Sequence, residues 1–300
     1  MAIGDVHEVD GATDLFYVDT GMYDTPEYGA VYILDAERPA IVDTGIGTNY
    51  ERILDALETV GILPADLEAI IPTHVHLDHA GGAGFIADET DADVYVHESG
   101  AKFLTDPDPL WEGTKQAVDD VIKHYAKPKP VPVDRIESIH DGATIDLGDR
   151  QLHAHHAPGH AFHQLVFHER DDDVVFTADA AGIYVPEWDA IHETSPPPGF
   201  DLEGVIEDAR MIARIDPEIL CYGHFGDAPT DDRLSEYVDV ITEWVEAVAE
   251  KRTELGDDEA VIEHFVAEHD IVEVWGEEMT SGQIAMNVRG VLHYLDNRDD

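Results

Sequence analysis

Three histidines and one aspartate lie within the six residues from His74 to His79. Imidazole and carboxylate groups together suit borderline divalent metals such as zinc. His74 and His76 are two residues apart, so on an extended segment their side chains point the same way. Asp78 and His79 follow where the chain turns toward a predicted helix, and can aim their side chains elsewhere. One loop can therefore supply two adjacent metal ions, which predicts a metallohydrolase.

Further ligands have to come from distant parts of the chain. A catalytic zinc ion keeps one position open for water, so each of two ions needs about three protein ligands. The loop supplies only four of them. The later candidates each follow a small residue near the end of a predicted strand, and they are His160, Asp179 and His224. Since a small residue lets the backbone bend close to a site, these three are predicted to complete the centre.

The elements that must position these residues are indicated by hydrophobic patterning. Segments rich in Val, Ile, Tyr and Phe, separated by Gly and Pro, predict strands at 14–19, 29–35, 39–43, 67–73, 93–97, 143–147, 151–155, 164–168, 173–177 and 218–222. Helical spacing of apolar residues predicts helices at about 49–60, 80–87, 114–126 and 201–215, and a largely helical chain from 231 onward. The strand at 218–222 is expected to be the last. The histidine cluster then directly follows one strand, and Asp179 and His224 follow two others.

Residues 99–133 differ from the strand and helix pattern around them. We expect a loop at 106–111, then a helix and a stiff proline-rich connector. The segment is predicted to be an insertion that could cap a pocket, although a plain surface excursion fits the same pattern. Residues 1–228 are predicted to form the catalytic domain and 229–300 a helical C-terminal extension. The C-terminal helices could also form a homodimer surface.

The cluster, taken with the three later segments in this order, resembles the metallo-beta-lactamase fold superfamily, whose HxHxDH motif is specific. The resemblance covers residues 10–228 approximately. It implies an α/β fold, a four-layer αββα sandwich with metals at one edge between two β-sheets, here with a helical C-terminal extension.

The resemblance also implies a role for each candidate ligand. It assigns to the first metal His74, His76 and His160. It assigns to the second metal Asp78, His79 and His224, and it makes Asp179 the bridge between both. Asp43 matches the early aspartate that supports such a site from behind.

A reaction is implied by the same resemblance. It is hydrolysis of an ester, thioester or lactone bond in a small-molecule substrate. The nucleophile would be a hydroxide that bridges two Zn²⁺ ions per chain. Iron and manganese are the alternative metals. Asp78 would hold the second metal, orient the nucleophile and shuttle its proton. Tyr184, five residues after Asp179, resembles a tyrosine that donates to the oxyanion in some lactonases of the superfamily, although the spacing differs.

The segments around His160 and Asp179, and the helical C-terminus, resemble a largely uncharacterised archaeal and bacterial branch grouped with glyoxalase II. Lys251 and Arg252 are the only adjacent basic pair in the C-terminal helices, so a glutathione site is not predicted.

Two other functions stay open: a mononuclear iron persulfide dioxygenase on the same fold, and a non-catalytic binding module. Beta-lactam hydrolysis is disfavoured because beta-lactamases of this fold are typically exported, and no signal-peptide pattern is found.

The amino-acid composition limits which binding partners and which cellular location are expected. Asp and Glu number 66 against 17 Lys and Arg, which gives a net charge of −49. Such a charge repels phosphate backbones and anionic lipids, so neither nucleic acid nor a membrane is an expected partner. The acidic residues are spread along the chain, which favours a halophilic protein over a disordered acidic one. Cys221 is the single cysteine, so an internal disulfide is excluded. We expect a cytoplasmic location.

Overall fold

A computed structural model describes residues 1–298 and contains two large β-sheets. The first sheet has seven strands arranged in chain order. Its neighbours are antiparallel up to the fourth strand and parallel from there on. The strands are β1 (Val6–Glu8), β2 (Leu15–Asp19), β3 (Ala30–Leu34), β4 (Ala40–Val42), β5 (Ala69–Ile71), β6 (Asp93–His97) and β7 (Ile136–Ile139).

The second sheet has six strands, and a separate two-stranded hairpin interrupts it in sequence. These eight strands are β8 (Thr144–Asp146), β9 (Gln151–His156), β10 (Leu165–Glu169), β11 (Val174–Ala178), the hairpin β12 (Ile183–Val185) and β13 (Ala190–His192), β14 (Ile219–Tyr222) and β15 (Gly226–Pro229). In space the sheet runs β15, β14, β11, β10, β9, β8. Only β11 and β14 are parallel neighbours in it.

Helices cover the outer faces of both sheets. Within the described residues they are α1 (Glu51–Val60), α2 (Leu77–Ala80), α3 (Ala83–Glu89), α4 (Ala101–Thr105), α5 (Asp108–Ala117), α6 (Leu202–Ile215), α7 (Arg233–Leu255), α8 (Asp258–Glu268), α9 (Val272–Trp275) and α10 (Glu277–Asn297). Short 3₁₀ turns occur at Met22–Asp24, Pro64–Asp66, Asp119–His124 and Val133–Arg135.

The alternation of side chains along the strands separates the layers. In β3, Tyr32 packs in the core between the sheets, whereas Ile33 packs with α1 and α3. In β10, Phe167 joins the core between the sheets and Val166 the core beneath α6. Because successive side chains of a strand point to opposite faces, each sheet buries both of its faces. The layers are therefore helices, sheet, sheet, helices, which confirms the αββα sandwich.

The predicted helical C-terminal region is also confirmed. Tyr237 and Ile241 of α7 and Val288 of α10 share one buried cluster with Ile212 of α6 and Leu220 of β14. The C-terminal helices thus complete the outer helical layer on the second sheet. The domain boundary after residue 228 stays a prediction. No helix among residues 1–298 is long and apolar enough to cross a membrane.

The predicted secondary structure of the 99–133 segment is wrong in its bounds. Helix α5 begins at Asp108, inside the predicted loop, and ends at Ala117 before a 3₁₀ turn that replaces the expected long helix. Pro107 and Pro109 do not prevent this, because the first turn of a helix uses no intrahelical N–H donors.

Other differences occur at short elements. The single helix predicted at 80–87 is two helices, α2 and α3. The strand expected to be last, β14, is followed by β15, because Gly226 adopts a φ of 68° and lets the chain fold back. Strands β1, β7, β12 and β13, each of three or four residues, were not predicted.

The Tyr32 hydroxyl links the two sheets beside the end of β14. It is buried and contacts the carbonyl oxygens of Tyr222 and Gly226 at 2.8 and 2.7 Å. We expect Tyr32→Phe to lower the free energy of unfolding by about 1–2 kcal/mol, because a buried carbonyl loses its donor. Denaturant unfolding in high salt measures this. The matched control is Tyr50→Phe, whose ring stacks on Phe85; an equal loss in both variants would contradict the prediction.

Candidate metal centre

Strand ends from both sheets meet at the candidate site. The parallel strands β4 and β5 of the first sheet end just before Asp43 and the loop that carries His74. The parallel strands β11 and β14 of the second sheet end just before Asp179 and His224. Because parallel strands end at the same edge, each sheet delivers two polar side chains to one place. The loop from 160 to 163 supplies His160 after β9.

The first donor set consists of three imidazoles. Nδ1 of His76 lies 3.0 Å from Nε2 of His74 and 3.0 Å from Nε2 of His160. A tetrahedral zinc ion with Zn–N bonds of about 2.0–2.1 Å separates its nitrogen ligands by about 3.3 Å. The three nitrogens therefore converge at a separation close to that of a zinc site.

The second donor set contains Asp78, His79 and His224. Oδ2 of Asp78 lies 3.9 Å from Nε2 of His79 and 3.6 Å from Nε2 of His224. The opposite nitrogen of each ring is already engaged: Nδ1 of His79 with Asp43 at 2.8 Å, and Nδ1 of His224 with the Tyr28 carbonyl at 3.0 Å. These contacts set the ring orientations and leave both Nε2 atoms for the centre.

Asp179 lies between the two sets. Its Oδ2 is 3.1 Å from Nε2 of His160, and its Oδ1 is 3.2 Å from Nε2 of His79. Oδ1 of Asp179 and Nε2 of His79 are both buried, yet neither has a hydrogen-bond partner among the described residues. Both atoms face the second donor set, and a metal ion there would supply the partner that buried polar atoms normally have. The residues present therefore fit two metals that share Asp179.

The electrostatic environment favours the protonation states that metal ligands require. Burial, reinforced by the neighbouring imidazoles, holds the pKa of His74 well below its usual value. Burial also lowers the pKa of His160 to about 3, although Asp179 opposes the shift. Burial acts to raise the pKa of Asp179, but His160 and His79 outweigh it and hold that pKa well below its ordinary range. Neutral imidazoles and an ionised carboxylate are ready to bind a cation.

His79 is the exception in the cluster. Burial acts to lower its pKa, but the carboxylates of Asp43, Asp179 and Asp78 outweigh burial and raise the pKa well above the usual value. Three carboxylates around one imidazole form a local excess of negative charge, which a divalent cation would neutralise.

Asp43 contacts His79 and the segment that leads into the histidine loop, in the supporting position that the family resemblance implies. Its Oδ1 accepts hydrogen bonds from the backbone N–H and the hydroxyl of Thr73 at 2.8 and 2.9 Å, and its Oδ2 accepts from His79. Asp43 is buried and has a left-handed φ of 66°. Such a conformation in a residue other than glycine persists only where the surroundings impose it.

The Tyr184 hydroxyl does not lie at the donor sets, where the family resemblance implied an oxyanion donor. Its hydroxyl donates to Asp189 at 3.0 Å, and the guanidinium of Arg233 lies 4.7 Å from its ring centre. Only its backbone N–H reaches the site region, where it donates to the His224 carbonyl. All seven predicted metal ligands come together, whereas the Tyr184 hydroxyl is held away from them at the surface.

Sequence reasoning missed several residues that line the cavity at the cluster. They are Tyr28, Tyr125, Thr194, Gln283 and Met286, and the cavity also touches Thr114, Ala117 and Val118 of the 99–133 segment. Gln283 carried a usable signal, because a polar residue on the buried face of a helix needs a partner or a ligand. The tyrosines had no such signal.

Residues 24–224 match the sequence model of the metallo-beta-lactamase superfamily, and the chain belongs to this superfamily. Among curated proteins it is similar to the metallo-beta-lactamase fold-containing protein ST1585 of Sulfurisphaera tokodaii, with 25% identity over 71% of this chain and 78% of that protein. It is 28% identical to the acyl-coenzyme A thioesterase MBLAC2 of Gallus gallus, over 55% of this chain and 62% of that protein. The crystal structure of ST1585 from Sulfolobus tokodaii superposes with a TM-score of 0.71 at 22% identity, covering 94% of this chain and 99% of that one.

The Asp43 carboxylate is expected to control metal retention. Asp43→Asn keeps an accepting oxygen for Thr73 but replaces the oxygen that faces His79 with an NH2 group, and Asn tolerates the left-handed backbone. We expect about a 10–100-fold loss in affinity for the more weakly held metal, as for other residues that orient a ligand. Competition with a chelator, followed by metal counting, measures the change.

The matched control for this experiment is Asp216→Asn. Asp216 also has a left-handed φ, of 60°, but ends helix α6. Unchanged metal affinity in Asp43→Asn, or an equal loss in Asp216→Asn, would contradict a specific role for Asp43.

Proposed function

We propose that this chain is a dinuclear zinc hydrolase that cleaves an ester, thioester or lactone, with thioesters of apolar acyl groups as the favoured substrates. The observation that carries the proposal is the position of Asp179, whose two oxygens face two separate donor sets. A pair of divalent metals supplies a hydroxide nucleophile near neutral pH and polarises a carbonyl oxygen. His74, His76 and His160 would hold one metal, Asp78, His79 and His224 the other, and Asp179 both.

Asp78 is suited to orient the attacking water. It lines the cavity with 22% of its side chain exposed. Burial acts to raise its pKa, but His79 and His224 outweigh burial and hold the pKa well below its ordinary value. Asp78 is therefore ionised at neutral pH and would orient the attacking water by accepting a hydrogen bond from it.

Tyr28 replaces Tyr184 as the candidate donor to the oxyanion. Its ring lies 4.9 Å from that of His224, and Tyr28 lines the cavity. Burial, followed by the carboxylates of Asp78 and Asp179, raises the pKa of the phenol well above its usual value. The phenol thus stays protonated and can donate a hydrogen bond to a developing negative charge.

An apolar cavity beside the cluster supports an acyl substrate. It has a volume of about 460 Å³, and its wall includes Phe103, Leu110 and Phe162. His76 lines both this cavity and the one at the donor sets, so the two are neighbours. Binding sites for small molecules are commonly about 300–1,000 Å³ and mostly apolar. An acyl chain in this cavity would place its carbonyl at the cluster.

The relatives favour a thioester among the three bond types. MBLAC2 of Gallus gallus is named an acyl-coenzyme A thioesterase, and this chain spans 62% of its length. An acyl thioester joins an apolar chain to a carbonyl, which matches the apolar cavity and the neighbouring donor sets.

His76→Ala is expected to reduce metal-dependent hydrolysis by at least about 100-fold, because it removes a ligand from the set that holds the first metal. Acyl thioesters of increasing chain length, assayed in molar salt with the zinc-loaded protein, measure kcat/KM. His153→Ala is the matched control, since His153 is a histidine of strand β9 that contacts Thr144 instead of the cluster.

Metal counting on the same samples separates the alternatives. The deciding quantity is the metal that the wild type holds beyond a variant without the cluster ligands: about two zinc ions support the proposal, one iron supports the persulfide dioxygenase, and none supports a binding module. Full thioesterase activity in His76→Ala would overturn the proposal.

Tyr28→Phe and Tyr184→Phe form a direct comparison of two phenols. Removal of an oxyanion donor costs about 10²–10³-fold in kcat, so we expect a loss of at least about tenfold in Tyr28→Phe. Tyr184→Phe should retain kcat within about twofold, because its hydroxyl is bound to Asp189 at the surface. Steady-state kinetics measure both, and the reverse order of effects would refute the assignment.

A further inference from the structure

A second group of metal-binding side chains lies outside the cluster described above. It consists of His192 at the end of β13, Glu193 next to it, and His269 directly after α8. Nε2 of His269 is 3.4 Å from Oε1 of Glu193, and Nδ1 of His192 is 3.9 Å from Oε2. One donor atom from each residue lies within 4.8 Å of the others. We propose that these three residues bind a divalent transition metal such as Zn²⁺.

The three side chains converge without hydrogen bonding to one another. Glu193 is buried, with 8% of its side chain exposed, and both histidines are 15% exposed. Within residues 1–298 no hydrogen bond joins these side chains, and Nδ1 of His269 is buried without a hydrogen bond, with Asp270 at 3.8 Å as its nearest carboxylate. A buried carboxylate is costly unless it is paired or coordinates a metal. Two imidazoles and one carboxylate form a ligand set that zinc uses elsewhere, with room left for water.

The surroundings of this group resemble the apolar shell of a metal site. Three of the four tryptophans of the chain pack against its histidines. Trp188 and Trp275 lie 5.6 and 6.0 Å from His192, and Trp244 lies 6.3 Å from His269, between ring centres. Such a shell limits the access of water and strengthens metal–ligand interactions.

The position of the group gives it a structural role. It joins β13 to the end of α8, and thus the hairpin to the C-terminal helices. The next residue, Thr194, lines the catalytic cavity and donates to Oδ2 of Asp179 at 3.5 Å. Ser195 is then held by Asn287 of α10 at 2.8 Å. A metal here would fasten the C-terminal helices to the segment that forms one wall of the cavity.

Zinc counting tests the inference, whether or not the protein hydrolyses thioesters. Wild-type protein, His269→Asn and His264→Asn are loaded with Zn²⁺, dialysed and analysed for zinc per chain. His264 lies on α8, which ends just before His269, but it pairs with Glu268, which makes it the matched control. We expect His269→Asn to bind about one zinc fewer than the wild type, and His264→Asn to bind as much as the wild type. Equal zinc content in all three proteins would overturn the inference.

A second variant guards against misfolding of the first. Glu193→Gln preserves the shape of the side chain but removes its charge, and circular dichroism verifies its fold. Co²⁺ is the probe, because it quenches nearby tryptophan fluorescence. We expect weaker quenching by Co²⁺ and a smaller rise in Tm with Zn²⁺ in Glu193→Gln than in the wild type. Identical Co²⁺ titrations and identical Tm shifts in the two proteins would refute the site.

Discussion

The architecture of this protein depends on one buried carboxylate. Asp179 places one oxygen 3.1 Å from His160 and the other 3.2 Å from His79. An ionised carboxylate inside a protein costs several kcal/mol unless cationic or hydrogen-bonding groups surround it. The fold therefore has to bring imidazoles from separate segments to a single point. The strand pairs β4–β5 and β11–β14 do this by ending at one shared edge.

Strain at the strand ends shows how closely the chain is constrained there. Asp43 and Ala178 have left-handed φ values of 66° and 49°, although neither is glycine. Both residues are buried. Ala178 immediately precedes Asp179, and Asp43 contacts His79. Side chains other than glycine pay a conformational penalty in this region, so packing on both sides has to hold them. For Asp43 the restraint is visible in its hydrogen bonds to Thr73 and His79.

Chemistry and substrate recognition are distributed over different elements. The donor atoms stand at the ends of rigid strands, whereas the cavity walls come from the 99–133 segment, the loop before α6 and helix α10. The C-terminal helices consequently have two roles: they bury the outer face of the second sheet, and α10 supplies Gln283 and Met286 to the cavity. This division explains why a sequence can identify the reaction class while leaving the substrate open.

The sequence by itself determined the histidine-rich loop, most of the strands and helices and the later ligand candidates, because each of these rests on local spacing. The αββα layers were implied by the resemblance that the HxHxDH motif and the later segments carry, and not by periodicity. Only the tertiary structure decided which tyrosine lines the cavity. The hydroxyl of Tyr184 is held by Asp189, whereas Tyr28, in the loop between β2 and β3, lines the cavity beside His224. The tertiary structure also brought His269 to His192 and Glu193. Contacts between such distant residues depend on how the C-terminal helices pack on the second sheet, and no local pattern records that packing.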